Sequence, residues 1–126
     1  MLQLRKNAVI SIVDDDESIR QAMRSLVCSL GFEAYTFASA EEYLGSPEAG
    51  RTSCLISDVQ LPNMSGLELH ARMRARGQHT PVIFITGFPD RRIEAQAKDA
   101  GAVGFLNKPF EGRALIGCIE AALADG

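Results

Sequence analysis

"SIVDDDESIR", residues Ser11 to Arg20, runs from an apolar stretch directly into four consecutive acids. Like charges a few ångströms apart raise one another's pKa and oppose folding unless water or a cation intervenes. Asp14, Asp15 and Asp16 therefore belong at the end of a structural element, where something positive can converge on them. The apolar run before them, "AVISIV" (Ala8–Val13), is continuous rather than alternating, the pattern of a parallel strand covered on both faces. After them, Ile19, Ala22, Met23, Leu26, Val27 and Leu30 repeat at helical spacing until Gly31. The stretch reads as strand, acidic turn, helix.

The same unit recurs along the chain. "CLIS" (Cys54–Ser57), "PVIFIT" (Pro81–Thr86) and "AVGFL" (Ala102–Leu106) are further continuous runs, and "FEAYTF" (Phe32–Phe37) alternates in part, as a strand nearer an edge does. Ser39 with Glu42 and Ser65 with Glu68 have capping-box spacing, and Asp90 can cap a fourth helix from about Arg91 to Ala100. That helix has a thin apolar stripe of Ile93, Ala97 and Ala100. The last helix carries Leu115, Ile116, Ile119, Ala122 and Leu123. "GSPEAGRTS" (Gly45–Ser53) reads as a loop. Five β-α units joined by short, right-handed connections predict an α/β fold, a doubly wound five-stranded parallel sheet with helices on both faces. Residues 1–126 are expected to form one domain with a core over about 8–123.

Composition excludes several classes. With 46% hydrophobic and 23% charged residues the chain is neither disordered nor unusual. No apolar run approaches the roughly 18 residues of a membrane span. The opening "MLQLRKN" is not followed by a secretory apolar segment, so a cytoplasmic location is expected. Cys28, Cys54 and Cys118 have no metal-ligand spacing and read as small buried hydrophobes. A net charge of −3 argues against direct nucleic-acid binding by this domain. "HARMRARGQH" (His70–His79) reads as a solvated helix face with cations near its C-terminus, and Met64 and Met73 as packing.

Functional sites of open parallel sheets gather beyond the carboxyl ends of the strands. Those ends carry Asp14 and Asp15, Asp58, Thr86, and Lys108 in "LNKPF". Three carboxylates, a hydroxyl and an ammonium thus share one sheet edge. The carboxylates suit Mg²⁺, a hard cation that accepts a few protein oxygens and keeps its waters. Asp58 can then act as a carboxylate nucleophile toward phosphorus, with Thr86 and Lys108 contacting phosphoryl oxygens. Asp16, just before the first helix, reads as its N-cap. A phosphatase would want a second acid two residues after its nucleophile, where Gln60 stands, and a flavodoxin-like cofactor binder would want a Gly/Ser/Thr phosphate loop in place of the acids.

In "VDDDES", "SDVQLPNMSGLEL", "PVIFITG" and "AGAVGFLNKPF" the chain resembles the receiver domain of bacterial two-component response regulators, over about residues 8 to 123. The resemblance implies a flavodoxin-like, receiver-type fold that accepts a phosphoryl group on Asp58 from a sensor histidine kinase or phosphotransfer protein. It implies a metal site of Asp15 as a direct ligand, Asp14 as a water-mediated one, Asp58, and the backbone carbonyl of Gln60. Thr86 and Lys108 match the phosphoryl-sensing pair, and Phe105 the switch aromatic. It implies a cis Lys108–Pro109 bond and a switching surface at the fourth helix and fifth strand (about Arg91–Leu106) that contacts an output domain or downstream protein. It implies a signalling switch, not a metabolic enzyme, that catalyses only its own phosphorylation and dephosphorylation. The wording of the framework resembles receivers that precede a helix-turn-helix domain, an output in transcription; a homodimer of the phosphorylated form stays open. An interaction domain that no longer uses phosphate is the third rival, and the complete acid–Thr–Lys set argues against it.

Overall fold

The computed structural model describes residues 8–124; the opening "MLQLRKN" and the final Asp125 and Gly126 lie outside the described residues. The elements follow as β1 (Val9–Val13), α1 (Glu17–Ser29), β2 (Glu33–Phe37), α2 (Ala40–Leu44), a 3₁₀ turn (Pro47–Gly50), β3 (Cys54–Asp58), α3 (Gly66–Ala75), β4 (Val82–Thr86), α4 (Arg91–Asp99), β5 (Gly104–Asn107) and α5 (Gly112–Ala124). All strand pairs are parallel, in the order β2-β1-β3-β4-β5. The winding direction reverses between β1 and β3, which lie side by side with Val13 opposite Ser57. That reversal opens a crevice beyond their carboxyl ends.

Each central strand feeds two cores because successive side chains point to opposite faces. Ile10, Ile12, Cys54, Ile56, Ile83 and Ile85 pack under α1 and α5, against Met23, Val27, Leu115 and Ile119. Val13, Leu55, Val82 and Phe84 pack under α2, α3 and α4, against Tyr43, Leu69, Met73 and Ala97. This two-sided burial is why the strands read as unbroken apolar runs. Each buried aliphatic side chain contributes about 1.5–3 kcal/mol relative to exposure.

The helix ends follow their sequence signals. Asp16 caps α1 by accepting from Ile19 N–H at 3.2 Å, and Gly31 takes the left-handed conformation (φ 92°) that ends it. At α3 the capping box closes in both directions between Ser65 and Glu68, whereas at α2 the structure shows the Ser39 hydroxyl accepting from Glu42 N–H. Asp90 caps α4 through Arg92 N–H.

Several expectations need correction. The fifth strand starts two residues later and ends one residue later than its apolar letters: Ala102 N–H still bonds back to Ala97 O of α4, Val103 N–H makes the first bond to β4 at Val82 O, and the paired strand runs Gly104–Asn107. Part of the expected loop Gly45–Ser53 winds into a 3₁₀ turn that buries Ala49. Cys28 is exposed, since it lies on the outer side of α1; Cys54 is fully buried, which pushes its thiol up to about 12. Cys118 is half-buried. Leu30, the last residue of the first stripe, is exposed. His70 is not on a solvated face: it is 6% exposed, with its ring edge-on to Phe84.

Candidate functional site

The switch in winding brings three acids, Asp14, Asp15 and Asp58, together with one cation, Lys108. Asp14 is the first residue past β1 and is completely buried. Its N–H donates to Phe37 O at 3.1 Å, and its carbonyl accepts from Arg20 Nη1 at 2.8 Å. Its carboxylate accepts from Asp16 N–H through Oδ1 (2.9 Å) and from Lys108 Nζ through Oδ2 (2.9 Å). Asp58 ends β3 and is 4% exposed. Its Oδ1 accepts from Gln60 N–H at 3.0 Å and its Oδ2 from Lys108 Nζ at 2.8 Å. One ammonium therefore bridges two carboxylates that are 44 residues apart in sequence (58 minus 14). Asp15 is exposed at the rim, while Asp16 turns away to cap α1.

Thr86, the last residue of β4, is fully buried, and its carbonyl accepts from Lys108 N–H at 2.7 Å. That bond fixes the start of the lysine side chain one residue past β5. The Lys108–Pro109 peptide is cis. Phe105 is half-buried, opposite Phe84 in the β4–β5 register, and packs on the face shared with α3 and α4. The contact of the Gln60 side chain with Thr86 was not anticipated: its Oε1 accepts from the Thr86 hydroxyl at 2.7 Å. Nor was Arg20, whose hold on the Asp14 carbonyl comes from a residue one and a half helical turns into the following sequence. No spacing rule separates such a loop–helix contact from an ordinary surface arginine.

Burial lifts the Asp58 carboxyl above the ordinary carboxylate value; the Lys108 hydrogen bond opposes this and the Asp14 charge adds to it. Burial also pulls down on the Lys108 ammonium, but its hydrogen bonds to Asp58 and Asp14 outweigh that, and its pKa is raised. The cation is thus held charged among acids. Carboxylate oxygens of Asp14, Asp15 and Asp58 all lie within 4.8 Å of one another. Three carboxylates facing one ammonium leave an excess of two negative charges, and the donors are all hard oxygens. Among the described residues this set fits a divalent hard cation such as Mg²⁺, by charge and by ligand type.

The comparisons with known proteins agree with this arrangement. The family profile of the response regulator receiver domain matches residues 10–120. The response regulator protein TodT of Pseudomonas putida is 41% identical over 116 residues, which are 92% of this chain and 51% of TodT. The transcriptional regulatory protein FixJ of Bradyrhizobium diazoefficiens is 36% identical over 114 residues, 90% of this chain and 56% of FixJ. The chain thus spans about half the length of the curated relatives it matches. Among solved structures, the chemotaxis protein CheY4 of Vibrio cholerae superposes with a TM-score of 0.84 at 32% identity, covering 93% of this chain and 99% of that one. The fold, the order of motifs and the sequence match over most of the chain point the same way, and the chain belongs to the response regulator receiver domain family of two-component signalling.

Proposed function

We propose that this receiver domain takes a phosphoryl group onto Asp58 from the phosphohistidine of a sensor kinase or phosphotransfer protein. The observation that carries the reading is the Lys108 ammonium bridging Asp14 Oδ2 and Asp58 Oδ2 at 2.9 and 2.8 Å. It places a fixed cation where a phosphoryl oxygen on Asp58 would need neutralising. In the transfer, an Asp58 carboxylate oxygen forms the new O–P bond as the donor's N–P bond breaks, and the donor nitrogen keeps the bonding electron pair. Such a reaction asks mainly for positioning and charge compensation. Asp14, Asp15, Asp58 and the Gln60 backbone carbonyl are the groups that would hold Mg²⁺, which supplies charge neutralisation on the phosphoryl oxygens when bound.

The Asp58 main chain is held by the sheet, its Oδ1 by Gln60 N–H, and Lys108 by the Thr86 carbonyl. The nucleophile is therefore positioned before the donor arrives. An apolar groove of about 650 Å³ between α1 and the start of α5, lined by Ile19, Leu26 and Phe110 with Lys108 at its edge, offers the donor protein a seat beside the site. Phosphorylation replaces the single charge of the Asp58 carboxylate with an acyl phosphate carrying nearly two, a net gain of about one negative charge and three acceptor oxygens. Thr86 and Phe105 respond, and the surface from about Arg91 to Leu106 changes its preference for an output domain or partner. α4 is suited to such a change, since Ala97 is its one fully buried residue among the described positions. A cytoplasmic setting and a transcriptional output belong to the same reading.

Incubation with Mg²⁺ and acetyl phosphate, followed by intact-mass measurement, tests it. Wild type should gain one phosphoryl mass and Asp58→Asn none. No gain on wild type, or an equal gain on Asp58→Asn, overturns the reading.

A further inference from the structure

The Thr86 hydroxyl is already engaged. It is fully buried, accepts from Phe88 N–H at 3.0 Å and donates to Gln60 Oε1 at 2.7 Å. The Phe88 carbonyl, at 3.3 Å, is a longer alternative acceptor. A hydroxyl has one proton to give. While Gln60 takes it, a phosphoryl oxygen on Asp58 cannot. The opposite amide orientation would leave that proton with the longer Phe88 contact alone, so the network favours Oε1 toward Thr86. The main chain of the same residue holds Asp58, through the bond from Gln60 N–H to Oδ1 at 3.0 Å. A residue two positions after the acid thus grips the acid with its backbone and the hydroxyl with its side chain.

From this geometry we infer that Gln60 is a positioning residue whose side chain latches Thr86 in the resting orientation and so opposes the switched state. The inference rests on Asp58 being the phosphoacceptor and deepens that reading. Its physical content is a competition between two acceptors for one proton. A phosphoryl oxygen, being charged, makes the stronger bond and wins when present. In its absence the Gln60 amide keeps Thr86 turned away.

One net hydrogen bond shifts a two-state equilibrium by about two- to tenfold. Gln60 is solvent-exposed, and the Phe88 carbonyl can take over part of the role, so the lower half of that range, about two- to fivefold, is expected here. A ligand that binds only the switched orientation reports this directly, because its apparent affinity scales with the population of the competent state.

The test uses the 126-residue chain with Mg²⁺ and fluoroberyllate, a stable stand-in for the phosphoryl group, titrated by calorimetry. Gln60→Met keeps the side-chain length without the acceptor, and Gln60→Ala removes both. Each is measured with Thr86 intact and in a Thr86→Val background. Both Gln60 variants should bind fluoroberyllate about two- to fivefold more tightly than wild type, and the gain should vanish with Thr86→Val. Without ligand, the NMR signal of the Thr86 methyl should move toward its fluoroberyllate-bound position in both variants. Unchanged or weaker binding in the Gln60 variants, or an equal gain in the Thr86→Val background, overturns the latch alone. Failure of wild type to bind fluoroberyllate, or equal binding by Asp58→Asn, overturns the phosphoacceptor reading and the latch with it.

Discussion

Replacing Gly66 by alanine adds one methyl group against the main chain of Asp58. Gly66 opens α3, and its N–H donates to Val59 O at 2.9 Å, which draws the helix start down onto the end of β3. A Cβ built there would lie 2.3 Å from Asp58 O, 3.1 Å from Asp58 C and 3.2 Å from Ser57 Oγ. Real Cβ contacts stay above 3.0 Å, so backbone must part by at least 0.7 Å (3.0 minus 2.3). Neither side yields easily. Asp58 is paired with Ile85 in the sheet, Val59 N–H is bonded to Ile85 O, and the α3 start is tied by its capping box.

Overpacking of this kind costs about 1–3 kcal/mol, and the upper half applies because the obstacle is main chain rather than a flexible side chain. For a domain of this size about 2–3 kcal/mol corresponds to a fall of roughly 8–12 °C in Tm. The displaced atoms belong to Asp58, the proposed nucleophile. Since a misplacement of about 1 Å can slow a positioned reaction by ~10²-fold, phosphorylation by acetyl phosphate should slow by at least about tenfold. Urea unfolding gives the first quantity and a time course of intact mass the second. Gly117→Ala is the internal control: Gly117 lies within α5 with open space around its Cβ position, so alanine there should stabilise by about 0.5–1 kcal/mol. A Gly66→Ala protein with wild-type unfolding midpoint and wild-type phosphorylation rate would refute the steric account.

Two further outcomes follow from the charges. Lys108→Met removes the ammonium from between Asp14 and Asp58; the variant should lose about 1–3 kcal/mol without Mg²⁺, less than a fully buried pair because Lys108 keeps some water contact, and Mg²⁺ should raise its Tm more than it raises that of wild type. Equal Mg²⁺ shifts in the two proteins would contradict the shared site. His70 has its pKa lowered, by burial first and by the Arg74 charge second, so the folded chain holds it neutral while the unfolded chain takes up a proton below its ordinary 6.5. Its contribution is therefore complete above that pH and is lost as pH falls through the lower folded value. Urea midpoints at pH 7.5 and 5.5 should separate less in His70→Leu than in wild type, and an unchanged separation would remove His70 from the pH response.

How far the sequence alone reached depends on the kind of contact involved. Strands with both faces covered are apolar at most positions, with only small or strand-end polar residues such as Ser11, Ser57 and Thr86 between, so β1, β3 and β4 were visible to within a residue or two. The order of helices and strands then put Asp14, Asp58, Thr86 and Lys108 on one edge without any knowledge of distances. Residues whose role depends on which neighbour they meet were not legible. His70 carries the letters of a basic surface helix, yet the rotation of α3 sets it against Phe84. Cys28 sits among apolar residues but on the outer side of α1. Gln60 has no pattern at all; only the convergence of the β3 and β4 ends gives its side chain a partner in Thr86.

The bridging lysine shows why this site needs an entire sheet. Neighbouring strands lie about 4.8 Å apart, so β5 is roughly 10 Å from β3 and farther from β1. Only a long side chain starting past the end of β5 can cross above β4 and touch acids on both. Lys108 starts there because its N–H is bonded to the Thr86 carbonyl, the last residue of the strand it must cross. The ammonium, the hydroxyl and the two buried acids are consequently linked through four adjacent strand ends and not through one flexible loop. Under the proposed phosphorylation, a charge added at Asp58 would act on Lys108, which touches it, and through the Lys108 N–H bond on the Thr86 carbonyl at the end of β4. An arginine at position 108 would keep the charge, but its planar fork would have to fit where a compact ammonium now bridges two oxygens at 2.8 and 2.9 Å, so charge alone does not specify this position.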